Sequence, residues 1–171
     1  KKLNNISKYW GEENKWKLML DEVKPDAVFI STNWDNHAPM AIESMKKGAH
    51  VFVEVPIATN LEDMWKIINT SEKEQKHCMM LENVNYFRAE MMFLNMIRQN
   101  VIGELQHGEA AYIHDLRDQM NQESRGTGSW RTYHYSKSSG NLYPTHGLGP
   151  IAQYMNLART EDNFKSIISY S

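Results

Sequence analysis

Residues 141–150, Asn-Leu-Tyr-Pro-Thr-His-Gly-Leu-Gly-Pro, place the phenol of Tyr143 three positions from the imidazole of His146, among two prolines and two glycines. Both side chains handle protons. Residues 136–140 before them read as loop and residues 151–158 after them as helix, so Tyr143 and His146 belong where a loop enters a helix. A helix start presents unpaired N–H groups and partial positive charge. A histidine there tends to stay neutral near pH 7 and can accept a proton. The same residues also fit a turn that does no more than begin a helix, and a short motif cannot choose between the two alone.

The elements that must position such a pair come earlier in the chain. Trp16, Leu20 and Val23 have helical spacing, which predicts a helix ending near Glu22. Pro25 breaks it, and residues 27–30 form a short apolar run that reads as a strand buried on both faces, as in a parallel sheet. Residues 31–37 read as a polar loop, which fits either a ligand-binding edge or a plain surface loop with an exposed tryptophan. A helix then follows over residues 38–47, with Pro39 in its first turn, Lys46 and Lys47 at its negative end and Gly48 as the cap.

Residues 50–54 read as a second strand, which completes a βαβ unit with a right-handed crossover. Residues 61–74 are an amphipathic helix capped by Asn60, with Asp63 near a capping-box position. Residues 78–81 are a third strand. In an open parallel sheet ligands lie outside the carboxyl ends of the strands. Here those ends carry Thr32 to His37, Glu54-Val55-Pro56, and Glu82-Asn83. Three successive strand ends thus supply polar residues to one edge.

From residue 87 to 100 the pattern is helical, residues 105–112 alternate like a strand, and residues 114–140 read as a long irregular section whose aromatics argue against disorder. Residues 167–171 are strand-like. The shift near residue 86 sets two domains, 1–85 and 86–171, in an α/β fold. The first is a parallel-sheet domain and the second is α+β.

Composition excludes several classes. The net charge of −2, with scattered Lys and Arg, offers no basic stripe for nucleic acid. The single cysteine, Cys78, rules out an internal disulfide or a cysteine cluster. The histidines lack metal-ligand spacing, so no metal site is expected. No apolar run is long enough to span a membrane. Residues 1–5 lack a signal-peptide pattern, and the chain reads as the interior of a longer protein.

Glu54-Val55-Pro56, then Glu82-Asn83 and a second domain, resemble the C-terminal part of the Rossmann domain of the Gfo/Idh/MocA oxidoreductases. Those enzymes commonly carry Glu-Lys-Pro where this chain has Val55, so their catalytic lysine is absent. Together with residues 34–40, Tyr112-Ile113-His114-Asp115-Leu116-Arg117 and residues 143–150, the chain resembles glycoside hydrolase family 109, the NAD-dependent α-N-acetylgalactosaminidases. The Gly-rich turn that opens such a Rossmann domain is not in the sequence.

The resemblance implies NAD as cofactor, bound by Thr32, Trp34, Asp35, Asn36, His37, Glu54, Val55 and Asn83. It implies a small-molecule or glycan substrate ending in α-N-acetylgalactosamine, held by Tyr112, Arg131, Tyr143, Pro144, Thr145 and His146. It also allows a homo-oligomer. The implied chemistry oxidises C3 of the sugar, removes the C2 proton, expels the C1 substituent, adds water and reduces C3 again. His146 would serve the C3 hydroxyl, Tyr112 with Glu82 the C2 region, and Tyr143 the orientation of hydroxyls. Two other readings stay open: a dehydrogenase or reductase that turns over its cofactor, and a non-catalytic NAD-binding regulator.

Overall fold

The computed structural model describes residues 6–120, 122, 127–159 and 162–170. The readings made on residues 1–5 and on Ser171 lie outside them. The chain divides into two compact units, Lys1–Leu81 and Glu82–Ser171.

In the first unit, α1 (Lys15–Val23), β1 (Ala27–Ile30), α2 (Trp34–Lys46), β2 (His50–Glu54), α3 (Leu61–Glu74) and β3 (Cys78–Leu81) follow the expected alternation. The sheet is parallel with order β1-β2-β3, and Val28, Val51 and Cys78 stand in register. Period-2 alternation sends Ile30, Val51 and Val53 to one face. There they bury with Ala38, Ala41 and Met45 of α2 and Ile67 of α3. Asn60 caps α3 by accepting from the Asp63 N–H at 2.8 Å.

Three expectations need correction in this unit. Strand β1 is covered on one face only: Phe29 is 72% exposed and stacks on Phe52 at 4.7 Å, because α2 and α3 both pack against the opposite face. The polar loop 31–37 is largely helix, since α2 begins at Trp34. Pro39 therefore sits inside the helix and removes one of its hydrogen bonds. Burial of Trp34 and His37 offsets that loss, and at 3% exposure Trp34 rules out the alternative of a surface loop with an exposed tryptophan.

The second unit holds a one-turn 3-10 helix (Asn83–Tyr86), then α4 (Arg88–Arg98), α5 (Arg117–Met120), α6 (Thr127–Lys137) and α7 (Thr145–Tyr154). The section expected to be irregular from 114 to 140 thus contains two helices. On α6, Trp130 meets His134 edge-on and the Lys137 ammonium lies over Tyr133, contacts one helical turn apart. Helix α7 starts six positions before the expected 151, so Gly147, Gly149 and Pro150 lie within it. Residues 164–170 are exposed and form no strand.

Residues 105–112 pair with no strand among the described residues. Their alternation nevertheless has a structural meaning. A methyl built on Gly108 would meet Ile151, one built on Gly147 would meet Ala110, and Tyr112 contacts Tyr143 and His146. The segment runs antiparallel to α7, with every second residue on the helix. Two extended residues advance about 6.6 Å and four helical residues about 6 Å, so the two periods stay in step. The run expected as a strand thus packs along a helix.

Candidate functional site

In the second unit the chain gathers five of the expected residues. Helix α7 begins at Thr145 with Pro144 as its cap, and the Pro144 carbonyl accepts from Leu148 N–H at 2.9 Å. Tyr143 just precedes the cap, and its N–H donates to Asn141 Oδ1 at 2.9 Å, which fixes the turn. His146 lies in the first turn. Its ring is parallel to that of Tyr143, 3° apart with centroids 5.1 Å apart. Tyr112 leans on both rings, at 5.3 Å from Tyr143 and 5.1 Å from His146.

Behind the imidazole stands Glu82, which directly follows β3 and is 3% exposed. His146 Nδ1–H donates to Glu82 Oε1 at 2.6 Å, and Val84 N–H donates to the same oxygen at 3.2 Å. The carboxylate fixes the ring's tautomer and leaves Nε2 with a lone pair. Glu82 Oε2 is buried and has no partner among the described residues.

On the other side, Arg131 of α6 donates from Nε to the Tyr143 hydroxyl at 3.2 Å, and its guanidinium stacks over Trp130 at 4.3 Å. Burial pushes the Tyr112 phenol above its ordinary range, Tyr143 adds to that, and Arg131 works against it. Tyr135 is raised for the same reasons, burial first. Tyr112 therefore keeps its proton near neutral pH, and Arg131 is the neighbour that favours its anion.

The remaining expected residues fall elsewhere. Pro144 is exposed, Thr145 half-buried and Asn83 exposed. Thr32, Asp35 and Glu54 are exposed, and Asn36 and Val55 half-buried, in the first unit. His37 is 1% exposed. Its Nδ1 donates to the Pro56 carbonyl at 2.7 Å, and Nε2 lies 3.2 Å from the Thr32 carbonyl. It ties the segment after β1 to the segment after β2 and holds that edge in place. Both ring nitrogens are engaged there, so His37 is a brace.

The sequence reading missed Trp130, Tyr135, Asn85 and Ala110. Arg131 and Tyr135 are one helical turn apart, a signal hidden once this stretch was read as irregular. Asn85 and Ala110 carry no chemical signature. They matter only because they meet glycines of α7.

A parallel sheet with α2 opening at the end of β1 defines the first unit's class. Residues 4–82 match the oxidoreductase family with an NAD-binding Rossmann fold. Residues 86–171 match the glycosyl hydrolase 109 C-terminal domain, and the chain belongs to glycosyl hydrolase family 109. It is 62% identical to glycosyl hydrolase family 109 protein 1 of Akkermansia muciniphila, over 91% of this chain and 32% of that protein. It is 56% identical to a family 109 protein of Shewanella sp. W3-18-1, over 95% of this chain and 35% of that protein. The chain thus spans about a third of the length of these curated relatives.

A structure of a candidate myo-inositol dehydrogenase from Sinorhizobium meliloti superposes with a TM-score of 0.58 at 15% identity, over 82% of this chain and 40% of that one. That likeness is one of fold alone.

NAD is the cofactor of this domain type, and the residues present fit it. At the carboxyl end of β1, Asn33 Oδ1 is buried without a partner among the described residues, an acceptor suited to a ribose hydroxyl. Thr32 and Glu54 add exposed polar groups at the same edge.

Proposed function

We propose that the protein is a glycosidase that uses NAD as a recycled cofactor to release terminal α-N-acetylgalactosamine, with residues 1–85 as part of its cofactor domain and residues 86–171 as part of its substrate domain. The observation that carries this reading is the short bond from His146 Nδ1 to Glu82, 2.6 Å, beside two phenols in ring contact. A carboxylate-fixed imidazole is a general base, and an adjacent phenol is a second proton carrier. Bound NAD supplies reversible oxidation at a sugar carbon.

The side chains supply the rest. His146 Nε2 takes the C3 hydroxyl proton, and Glu82 steadies the imidazolium that results. The minor anionic form of Tyr112, which Arg131 favours against burial and Tyr143, takes the C2 proton made acidic by a neighbouring ketone. The bond from C1 to its substituent then breaks. Water adds to the unsaturated sugar, Tyr112 returns the proton to C2 and His146 returns its proton to the C3 oxygen. Tyr143, held by Arg131, orients hydroxyls, and in the first unit Thr32, Asp35, Asn36, Glu54 and Val55, on the edge braced by His37, hold the cofactor. Net oxidation is zero.

The test is to incubate the protein, as its gene encodes it, with p-nitrophenyl α-N-acetylgalactosaminide in deuterated water. Nitrophenol release with deuterium at C2 of the sugar supports the reading. Release without deuterium overturns the mechanism, and accumulation of NADH with other sugars points to a dehydrogenase.

A further inference from the structure

Helix α7 is pressed from two sides. A methyl on Gly147 would lie 2.8 Å from the Cβ of Ala110, and one on Gly149 would lie 2.7 Å from Oδ1 and 3.1 Å from Nδ2 of Asn85. Carbon does not approach other atoms so closely: the Cβ of Ala110 cannot retreat without its backbone, so that contact requires glycine at 147, whereas a methyl at 149 would force the Asn85 amide to turn aside. Neither glycine takes a positive φ. What they contribute is the missing side chain. Glycine inside a helix costs about 1 kcal/mol relative to alanine, so the helix bears that cost twice within three residues.

What the two approaches hold is specific. Ala110 is two residues before Tyr112 on the segment that runs along α7, so its depth against Gly147 sets how near Tyr112 comes to His146. Asn85 lies three residues after Glu82, in the turn that Glu82 caps, so its depth against Gly149 sets how near the carboxylate comes to the same imidazole.

We propose that Gly147 and Gly149 are positioning residues for the two proton carriers, Gly147 for the Tyr112–His146 contact and Gly149 for the Glu82–His146 bond. The assignment rests on the catalytic reading of these three side chains. Its two halves are separable, because each glycine has its own opposing residue. A displacement of roughly 1 Å at such a site lowers turnover by up to about 100-fold.

The test pairs each glycine with its neighbour, in the protein as its gene encodes it. Gly147→Ala is expected to lower kcat by roughly 10- to 100-fold with NAD affinity unchanged. Moving the methyl across the interface, in Gly147→Ala with Ala110→Gly, is expected to restore kcat to within about threefold, since total volume is conserved. Gly149→Ala is expected to shift the acid limb of the kcat profile, with Asn85→Ala restoring it.

Proton NMR reads the same geometry without any turnover. The Nδ1–H of His146, bonded at 2.6 Å, gives a far-downfield resonance that Gly149→Ala and Glu82→Gln remove and Gly147→Ala retains. Gly147→Ala instead moves the ring-current-shifted Cε1–H of His146. Loss of the glycosidase reading with these NMR changes intact would leave the positioning assignment standing. Single variants with wild-type spectra and kcat overturn it, as do folded double variants that are not rescued. Should Gly147→Ala fail to fold alone, the swapped pair decides: native spectra support the proposal, and displaced ones overturn it.

Discussion

The two units hold their functional groups by different means. In the first unit the polar edge is set by main chain: parallel strands fix where β1 and β2 end, and His37 joins the two following segments through carbonyl oxygens. In the second unit the cluster is set by side chain on side chain, through ring contacts among Tyr112, Tyr143 and His146, one carboxylate and one guanidinium. Main-chain scaffolds tolerate changes of side chain. Side-chain scaffolds fail one residue at a time, because each ring is positioned by the next.

That contrast sets the order of expected effects. His146→Ala removes the group on which the second cluster converges, and kcat should fall by roughly 10² to 10⁴, the range for a general base, while NAD still binds. Steady-state kinetics with an NAD titration checks both halves, and near-normal turnover would end the assignment. His37→Ala removes two main-chain ties at about 1 kcal/mol each, so NAD affinity should weaken by up to roughly 30-fold by calorimetry, with kcat at saturating NAD little changed. A large fall in kcat would break the contrast by giving the first unit a chemical role.

The smallest effect concerns Cys78. Burial pushes its thiol up to about 11 from 9.0. A folded-state value above the unfolded one means the neutral thiol's contribution is complete below about pH 9 and is lost as pH rises towards 11. At pH 8 the folded protein should resist iodoacetamide, with roughly one thiol in a thousand ionised, and react readily in urea. Rapid alkylation without denaturant would show that β3 opens and that the first unit is looser than its hydrogen bonding suggests.

The same contrast explains what could be read from sequence. Strands β1, β2 and β3 and helix α3 were legible because apolar runs, breakers and the Asn60 cap act locally, within a few residues. The start of α2 was not, because burial of Trp34 and His37, a tertiary effect, outweighs an internal proline. Helix α6 was hidden by residues that are aromatic all round. The run expected as a strand over 105–112 has the alternating faces but packs on a helix, and periodicity reports faces alone. At the site, Tyr143 and His146 were visible by residue type, and the family resemblance singled out Tyr112, Arg131 and Glu82. The two glycine contacts that hold them together could not be read, since Ala110 and Asn85 lie far from α7 in sequence.

The antiparallel run of residues 108–112 along α7 has a consequence for how relatives of this chain can vary in length. Because every second residue of the segment meets every fourth residue of the helix, deleting one residue would turn Tyr112 to the far face, whereas deleting two would restore the faces and shift the contact by one helical turn. Length change here comes in steps of two, and each step hands the phenol to a different residue of α7. Drift in this stretch is therefore restricted to substitution, unless the partner of His146 is to change with it.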